Sequence, residues 1–407
     1  MTSEARPGRV TALCAAMQGV GGGLGWSLLP PLMPTLAKDV GVSHAQHGVI
    51  WGAASLGIAL AAPWGGAAVD RFGPRRVAGW AMGVGALACA ARALVQGPWQ
   101  LAAAMFAFGL HIGFVAPALP KALAGHVDLR HLGRANGIAL LSYTFGTALT
   151  VLTARTVLVP AFGGWRPLMV AAAVAMALVG ALWLRTMPDR VPLSSHANWR
   201  DGLRLLKVPG LRRVAAMHFL LFGGYLALLG FLPRALIEGG VSPTAAGAAV
   251  AAWLCAAGVA NFVGPWLSDR LGRRRPLILG GALVAGCALL PLALLPASQA
   301  VWFLGIAALG GGAFAPLLMA LPLEMPEIGP AKGGAALGLL MLVGQAGGFL
   351  LPIAAGFAVQ QGGLGAGMGL MALVHLAIAL PALRFTEPRA AAVGASPVGS
   401  VSERLAA

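Results

Sequence analysis

The sequence predicts an all-α membrane protein of twelve transmembrane helices, arranged as two pseudo-symmetric six-helix halves. Three observations predict it. Of 407 residues, 58% are hydrophobic and 10% charged, with a mean hydropathy of +0.81. Soluble domains carry about 25% charged residues, so a chain this poor in charge cannot clothe a water-facing surface and needs lipid as its solvent. The apolar stretches are long Ala/Leu/Gly/Val runs, unlike the alternating ten-residue strands of a membrane barrel. Finally, the chain repeats itself. GGAAVDRFGPRR after the second apolar run returns as GPWLSDRLGRRR after the eighth, and Asp70 and Asp269 stand 199 residues apart. Arg71 and Arg270, Gly73 and Gly272, and Pro117 and Pro316 keep the same offset.

A spanning helix needs about 20 apolar residues. In chain order the spans fall at 11–36, 45–68, 75–95, 99–121, 134–158, 165–186, 211–236, 243–267, 275–296, 300–323, 333–360 and 364–384. MTSEARPGRV leads into the first with no cleavage site, so that segment reads as a retained helix. Spans 5 and 11 align after a two-residue slip, Gly137 with Gly338 and Gly146 with Gly347. One long polar stretch divides the chain: 1–187 as the N-terminal half, 188–210 as a linker, 211–386 as the C-terminal half and 387–407 as a disordered tail. The linker's RDGLRLLKV has the pattern of a short amphipathic surface helix.

Net charge is +16, and the basic residues stand between the apolar runs. With both termini inside, 23 of the 28 Lys and Arg fall on the inner side; Lys38, Arg92, Arg155, Arg166 and Arg234 fall outside. The positive-inside rule then puts both termini and the linker in the cytoplasm of a bacterial inner membrane. Read this way, the charge is a topology signal and not a nucleic-acid footprint. Cys14, Cys89, Cys255 and Cys287 stand singly in apolar stretches without metal-ligand or disulfide spacing. The chain has no phosphate-cradling Gly-rich loop. These features predict no enzyme activity, no cofactor and no metal. The partners expected are a small-molecule substrate and the lipid bilayer, with the protein a monomer.

The motif Gly66-x-x-x-Asp70-Arg71-x-Gly73-x-Arg75-Arg76 resembles the signature loop between helices 2 and 3 of the major facilitator superfamily. The second copy has Asp269-Arg270-x-Gly272-Arg273-Arg274, with Pro265 at the leading position. The resemblance covers essentially the whole chain and implies that superfamily's fold. It also implies a cytoplasmic gate built from Gly66, Asp70, Arg71, Gly73, Arg75, Asp269, Arg270, Gly272 and Arg273, which latches the halves when the cavity faces outward. On physical grounds Gly66 is expected to let two helices approach, and Gly73 to make a tight turn. Asp70 is expected to pair with an Arg of its own loop or to cap the next helix. The sequence also departs from relatives: Met105 stands where drug antiporters carry Arg, and span 5 has no Gly-Pro motif. The Arg that nitrate carriers place in helices 2 and 8 has no counterpart. RANGIALL and LPLEMPEIGPAKGGAALGLL resemble anion and cyanate-type branches.

Polar groups at membrane depth are costly and mark function by default. No Asp or Glu lies deep in any span. His218, Phe222 and Tyr225 share one helical face of span 7, and Tyr143, Thr147 and Thr150 one face of span 5. Gln18, His111, Asn261 and Gln345 lie mid-span in helices 1, 4, 8 and 11. In the superfamily such helices line or flank the cavity, so the expected cavity set is Gln18, His111, Tyr143, Thr147, His218, Tyr225, Asn261 and Gln345. For each member, interhelical packing is the competing reading. His375 in span 12 reads as a lipid- or packing-facing residue. If protons are coupled, His111 and His218 are the carriers, because only histidine titrates near neutral pH unaided. Arg92 and Arg155 either snorkel to the outer interface or put a positive field over an outward mouth, which attracts anions. The reading is a carrier of a small organic or inorganic anion, driven by protons and working by alternating access. The alternatives are drug or metabolite efflux, and an assembly or sensory protein that no longer transports.

Overall fold

The computed structural model describes residues 7–188 and 203–387. Among them every regular element is helical. Helix α1, Pro7–Val40, widens into a π-helix over the glycine-rich Met17–Trp26. Helix α2, His44–Phe72, starts on a capping box: the Ser43 side chain accepts from the Gln46 N–H, and the Ser43 N–H donates to the Gln46 side chain. It ends at Gly73, where φ is +82°, and α3, Pro74–Ala93, begins one residue later. A positive φ there suits only a residue without a Cβ, so the turn expected of Gly73 is present. Gly272 does the same in the second copy, with φ +63°. Helices α4, Pro98–Ala124, α5, Arg130–Phe162, and α6, Trp165–Thr186, complete the first half, with a second π-turn in α5 at Ala154–Leu158.

The second half holds α7, Pro209–Glu238, α8, Pro243–Leu271, α9, Arg275–Leu294, and α10, Ala297–Glu324. A helical stretch of 52 residues, Lys332–Leu383, follows. At 1.5 Å per residue it would measure about 78 Å, far beyond a bilayer. It breaks at Gly363, φ +75° and ψ −178°, into α11 (329–362) and α12 (364–383). Ten stretches are apolar and long enough to cross a membrane. Dividing the 52-residue stretch gives one more. The last is the 20-residue α3, whose Arg75, Arg76 and Arg92 depress its apolar character. The expected twelve spans are thus present. Most of the linker and all but the first residue of the tail lie outside the described residues, as does the start of the RDGLRLLKV helix.

Helix packing obeys the sequence repeat. A methyl on Gly65 of α2 would stand 2.3 Å from the Gly113 carbonyl oxygen of α4. A methyl on Gly264 of α8 would stand 1.8 Å from the Ala313 carbonyl oxygen of α10. These two glycines are 199 residues apart, as are Gly113 and Gly312. Each half is therefore knit by the same glycine-mediated contact. Between the halves, α2 packs on α11 and α5 on α8. Exposed Leu, Val, Phe and Trp side chains, among them Leu87, Trp64, Trp80 and Trp302, cover the outer faces, as lipid contact requires.

Candidate substrate cavity and gates

The two tyrosines of the chain meet. Tyr143 on α5 and Tyr225 on α7 bring their hydroxyls close to each other across the halves, and Thr147 lies beside Tyr143. The Tyr143 ring lies against Gly22 of the π-helical part of α1, where a methyl would come within 2.7 Å of Cδ2. Gln18 stands beside it: the same methyl would be 3.6 Å from its Oε1. On the other side, four rings follow one another, the first and last pairs stacked and the middle pair tilted. His218 and Phe222 are 5.7 Å apart, Phe222 and Tyr225 6.5 Å, and Tyr225 and Trp253 of α8 5.4 Å between centroids. The result is a mid-depth wall of aromatic faces and hydroxyl donors.

The remaining expected cavity residues divide. Asn261 is exposed and lies two heptad steps along α8 from Gly247, the glycine that crosses α5 at the Val151 carbonyl. Gln345 is half-buried on α11 with no partner for its Oε1, next to Gly344, on which the His218 ring packs. His218 is 7% exposed, and its Nδ1 has no partner. Thr147 is fully buried and takes a hydrogen bond from Ser27 of α1 at 3.1 Å, so it does not itself line a cavity. His111, 2% exposed, is placed inside the first half. Its Nδ1 is 2.7 Å from the Phe108 carbonyl, and its ring fills the space beside Gly85 of α3 and Gly21 of α1. His375 packs on Gly224 of α7.

Arg92 corrects an expectation. It neither snorkels nor overhangs a mouth: it is 0% exposed. Its Nη1 donates to the Gly25 carbonyl at 2.6 Å, and its guanidinium lies over the Phe108 ring at 4.1 Å. The cause is the irregular π-segment of α1, which presents a carbonyl to it. Arg155 is different, and does sit at an end between the halves, on the π-turn of α5.

The gate loops also differ from expectation. Asp70 pairs with neither a loop Arg nor a helix N-terminus. It forms an ion pair with Lys121 of α4. In the second copy Arg274 bridges Asp269 at 2.5 Å and Glu324 of α10 at 2.9 Å, and the Glu324 carboxylate, with Asp269 after it, raises the affinity of that guanidinium for its proton above the usual Arg value. Both copies thus tie their loop to the fourth helix of their own half, one through a cation on that helix and the other through an acid. Arg75 donates to the Leu184 carbonyl of α6 at 2.7 Å, while Arg71 and Arg270 lie over Phe72 and Trp266 of their own helices. The Arg273 carbonyl accepts from the Ser268 hydroxyl. Gly66 makes no close approach, since a methyl there meets nothing within 4 Å; the helix-contact glycine is its neighbour Gly65. We expect Gly66→Ala to leave the protein as heat-resistant as the parent and Gly65→Ala to lower the half-inactivation temperature markedly. Size-exclusion profiles after a heat ramp will show it, and equal losses in both variants would contradict the assignment.

At the opposite end the halves touch directly. Methyls on Gly48 and Gly52 of α2 would lie 2.3 and 2.6 Å from the Pro352 and Phe349 carbonyls of α11, and one on Gly356 would lie 2.4 Å from the His44 carbonyl. Trp51 Nε1 donates to the Leu226 carbonyl at 2.7 Å. The Ala45 N–H donates to Gln360 at 3.0 Å. His44 Nε2 meets Glu238 Oε2 at 3.0 Å, and Arg234 donates to the other carboxylate oxygen at 2.6 Å. Lys38, Arg155 and Arg234, three of the five cations assigned to the outer side, line a cleft at this end.

The Major Facilitator Superfamily profile matches residues 15–239 and 214–406. The chain belongs to the Major Facilitator Superfamily. It is a multi-pass membrane protein and a secondary transporter of small solutes. It is 29% identical over 375 residues to a probable nitrate/nitrite transporter of Mycobacterium tuberculosis, covering 87% of this chain and 90% of that one. To a gallate transporter of Pseudomonas putida it is 24% identical over 315 residues, 69% of each. A bacterial homologue of the human lysosomal transporter Spinster, in an inward-facing and occupied conformation, superimposes with a TM-score of 0.81 at 16% identity, covering 95% and 98% of the two chains. In this superfamily member, sequence reasoning missed the outer seam. The spacing of four between Gly48 and Gly52 on α2 was a usable signal of a close helix approach, but nothing local pointed to Gly356 of α11 as its counterpart.

Proposed function

We propose that the protein carries a small planar anion by alternating access, with proton coupling, across a bacterial inner membrane. The reading sets the 23-cation side, with both termini and the linker, in the cytoplasm, so the seam at Gly48 closes the periplasmic side and the conformation is inward-facing. Asp70 and Asp269, paired within their own halves, are then gate residues in their unlatched arrangement. The observation that carries the anion is the mid-depth wall itself. Hydroxyls of Tyr143 and Tyr225 and the amides of Gln18 and Gln345 supply donors beside aromatic faces. Among the described residues, no Asp or Glu stands in the interior of a span to repel an anion. An oxyanion or aromatic carboxylate accepts such hydrogen bonds and offers a flat face for stacking. Nitrate, nitrite and gallate, named in two of the relatives, are planar anions of this kind.

Binding raises apparent stability by about 2.7 kcal/mol at a hundredfold excess over Kd. Purified protein should therefore melt several degrees higher with nitrate, benzoate or gallate, and be unmoved by benzamide or benzyl alcohol. Equal stabilisation by the neutral compounds, or none by any anion, would sink the reading.

A further inference from the structure

At the sealed end, a cleft of about 490 Å³ lies between the C-terminal part of α1, α5 and α7. Its charged lining is Lys38, Asp39, Arg155, Arg234 and Glu238, with Thr35 among them. Both acids are already engaged. Asp39 accepts from Trp165 Nε1 at 2.6 Å and is 3.6 Å from Arg166. Glu238 holds Arg234 Nε with one oxygen and His44 with the other. The cations keep donors to spare. The Arg234 side chain is 7% exposed, and its Nη1 has no partner. Arg155 Nη1 is likewise buried without one. Lys38 makes no ion pair among the described residues. A buried guanidinium with unsatisfied donors is costly unless an acceptor arrives. Arg155 also sits on the π-turn Ala154–Leu158, an irregularity that recurs at functional sites.

From this juxtaposition of Lys38, Arg155 and Arg234 around one cleft, we propose a second anion site, separate from the tyrosine wall, at the outer face. It takes a small oxyanion or carboxylate while the transport path is sealed beneath it. The site holds the next anion at the closed door: three cations converge above the His44–Glu238 seam, and the anion competes with Glu238 for Arg234. It rests on the reading of the substrate as an anion.

The test is a charge-selective label. Thr35→Cys is introduced in protein whose exposed Cys255 and Cys287 are replaced by Ser. It is reacted in nanodiscs with methanethiosulfonate reagents bearing a sulfonate or a trimethylammonium group. The ratio of the two rates cancels any change in thiol reactivity. We expect the sulfonate to react roughly tenfold faster, as focused positive potential implies. The ratio should fall toward one when Arg155→Gln and Lys38→Gln are added, and nitrate or benzoate should slow the sulfonate at constant ionic strength. A ratio at or below one in the parent, or no effect of either anion, overturns the site. If that happens while nitrate or benzoate still raises the melting temperature, the outer site falls and the central anion reading stands. If the labelling behaves as expected but no anion is exchanged by proteoliposomes, the outer site stands and the transport reading falls.

Discussion

Gly48→Val stops transport. The methyl alone would stand 2.3 Å from the Pro352 carbonyl oxygen and 2.9 Å from the Ile353 Cα, both backbone atoms. A flexible side chain yields to such a contact, but a helix backbone moves only as a body. Valine's branches enlarge the clash, so α2 and α11 cannot close at the outer end. The strain exists only in the sealed conformer, and a perturbation confined to one conformer shifts the equilibrium by its full free energy. About 3 kcal/mol changes the population ratio more than a hundredfold. Turnover should drop by at least an order of magnitude, while expression and size-exclusion behaviour stay near those of the parent. A cysteine at Thr35 should also become more reactive as the seam opens. Transport at parental rates in Gly48→Val would mean that α2 and α11 do not close in the cycle.

His218→Gln abolishes pH-driven accumulation, and His111→Gln does not. The sequence offered the two histidines as equals; the structure separates them. His111 has its Nδ1 on the Phe108 carbonyl and its ring wedged between Gly21 and Gly85, within one half. Its loss is felt as lost packing, seen in heat resistance. His218 has a free Nδ1 and stacks on Phe222, one ring from Tyr225, whose hydroxyl comes close to that of Tyr143 in the other half. With no acid in the interior of any described span, it is the imidazole stacked into the wall. Uptake by each variant, measured with and without a pH gradient, should show at least a tenfold loss of accumulation in His218→Gln, with exchange at equal pH retained. If both variants accumulate like the parent, histidine does not couple protons here.

The architecture was legible because it rests on periodic features: apolar runs, charge asymmetry, and an offset of 199 residues that survives a charged loop and a helix two spans away. Gly73 and Gly272 were legible because a positive φ has few substitutes. The two tyrosines were read as members of separate faces on spans 5 and 7; that their hydroxyls approach each other required the third dimension. Gly66 was misjudged by one residue: a motif spacing marks the neighbourhood, and only the helix approach shows that Gly65 is the one with no room. Arg92 failed because depth inferred from sequence assumes a regular neighbour, and the π-helical Met17–Trp26 supplies a buried carbonyl acceptor instead. Asp70 with Lys121, and Arg274 with Glu324, are long-range pairs that no local pattern announces.

Counterflow in proteoliposomes reads whether the α2–α11 seam moves a planar anion. Vesicles containing purified protein are loaded with unlabelled benzoate or nitrate and diluted into trace labelled anion, beside vesicles carrying Gly48→Val. The labelled anion should accumulate transiently in the parent, little in the variant, and labelled benzamide not at all. Accumulation of the neutral compound, or equal anion exchange by parent and variant, would contradict a carrier that moves a planar anion by closing and opening the α2–α11 seam.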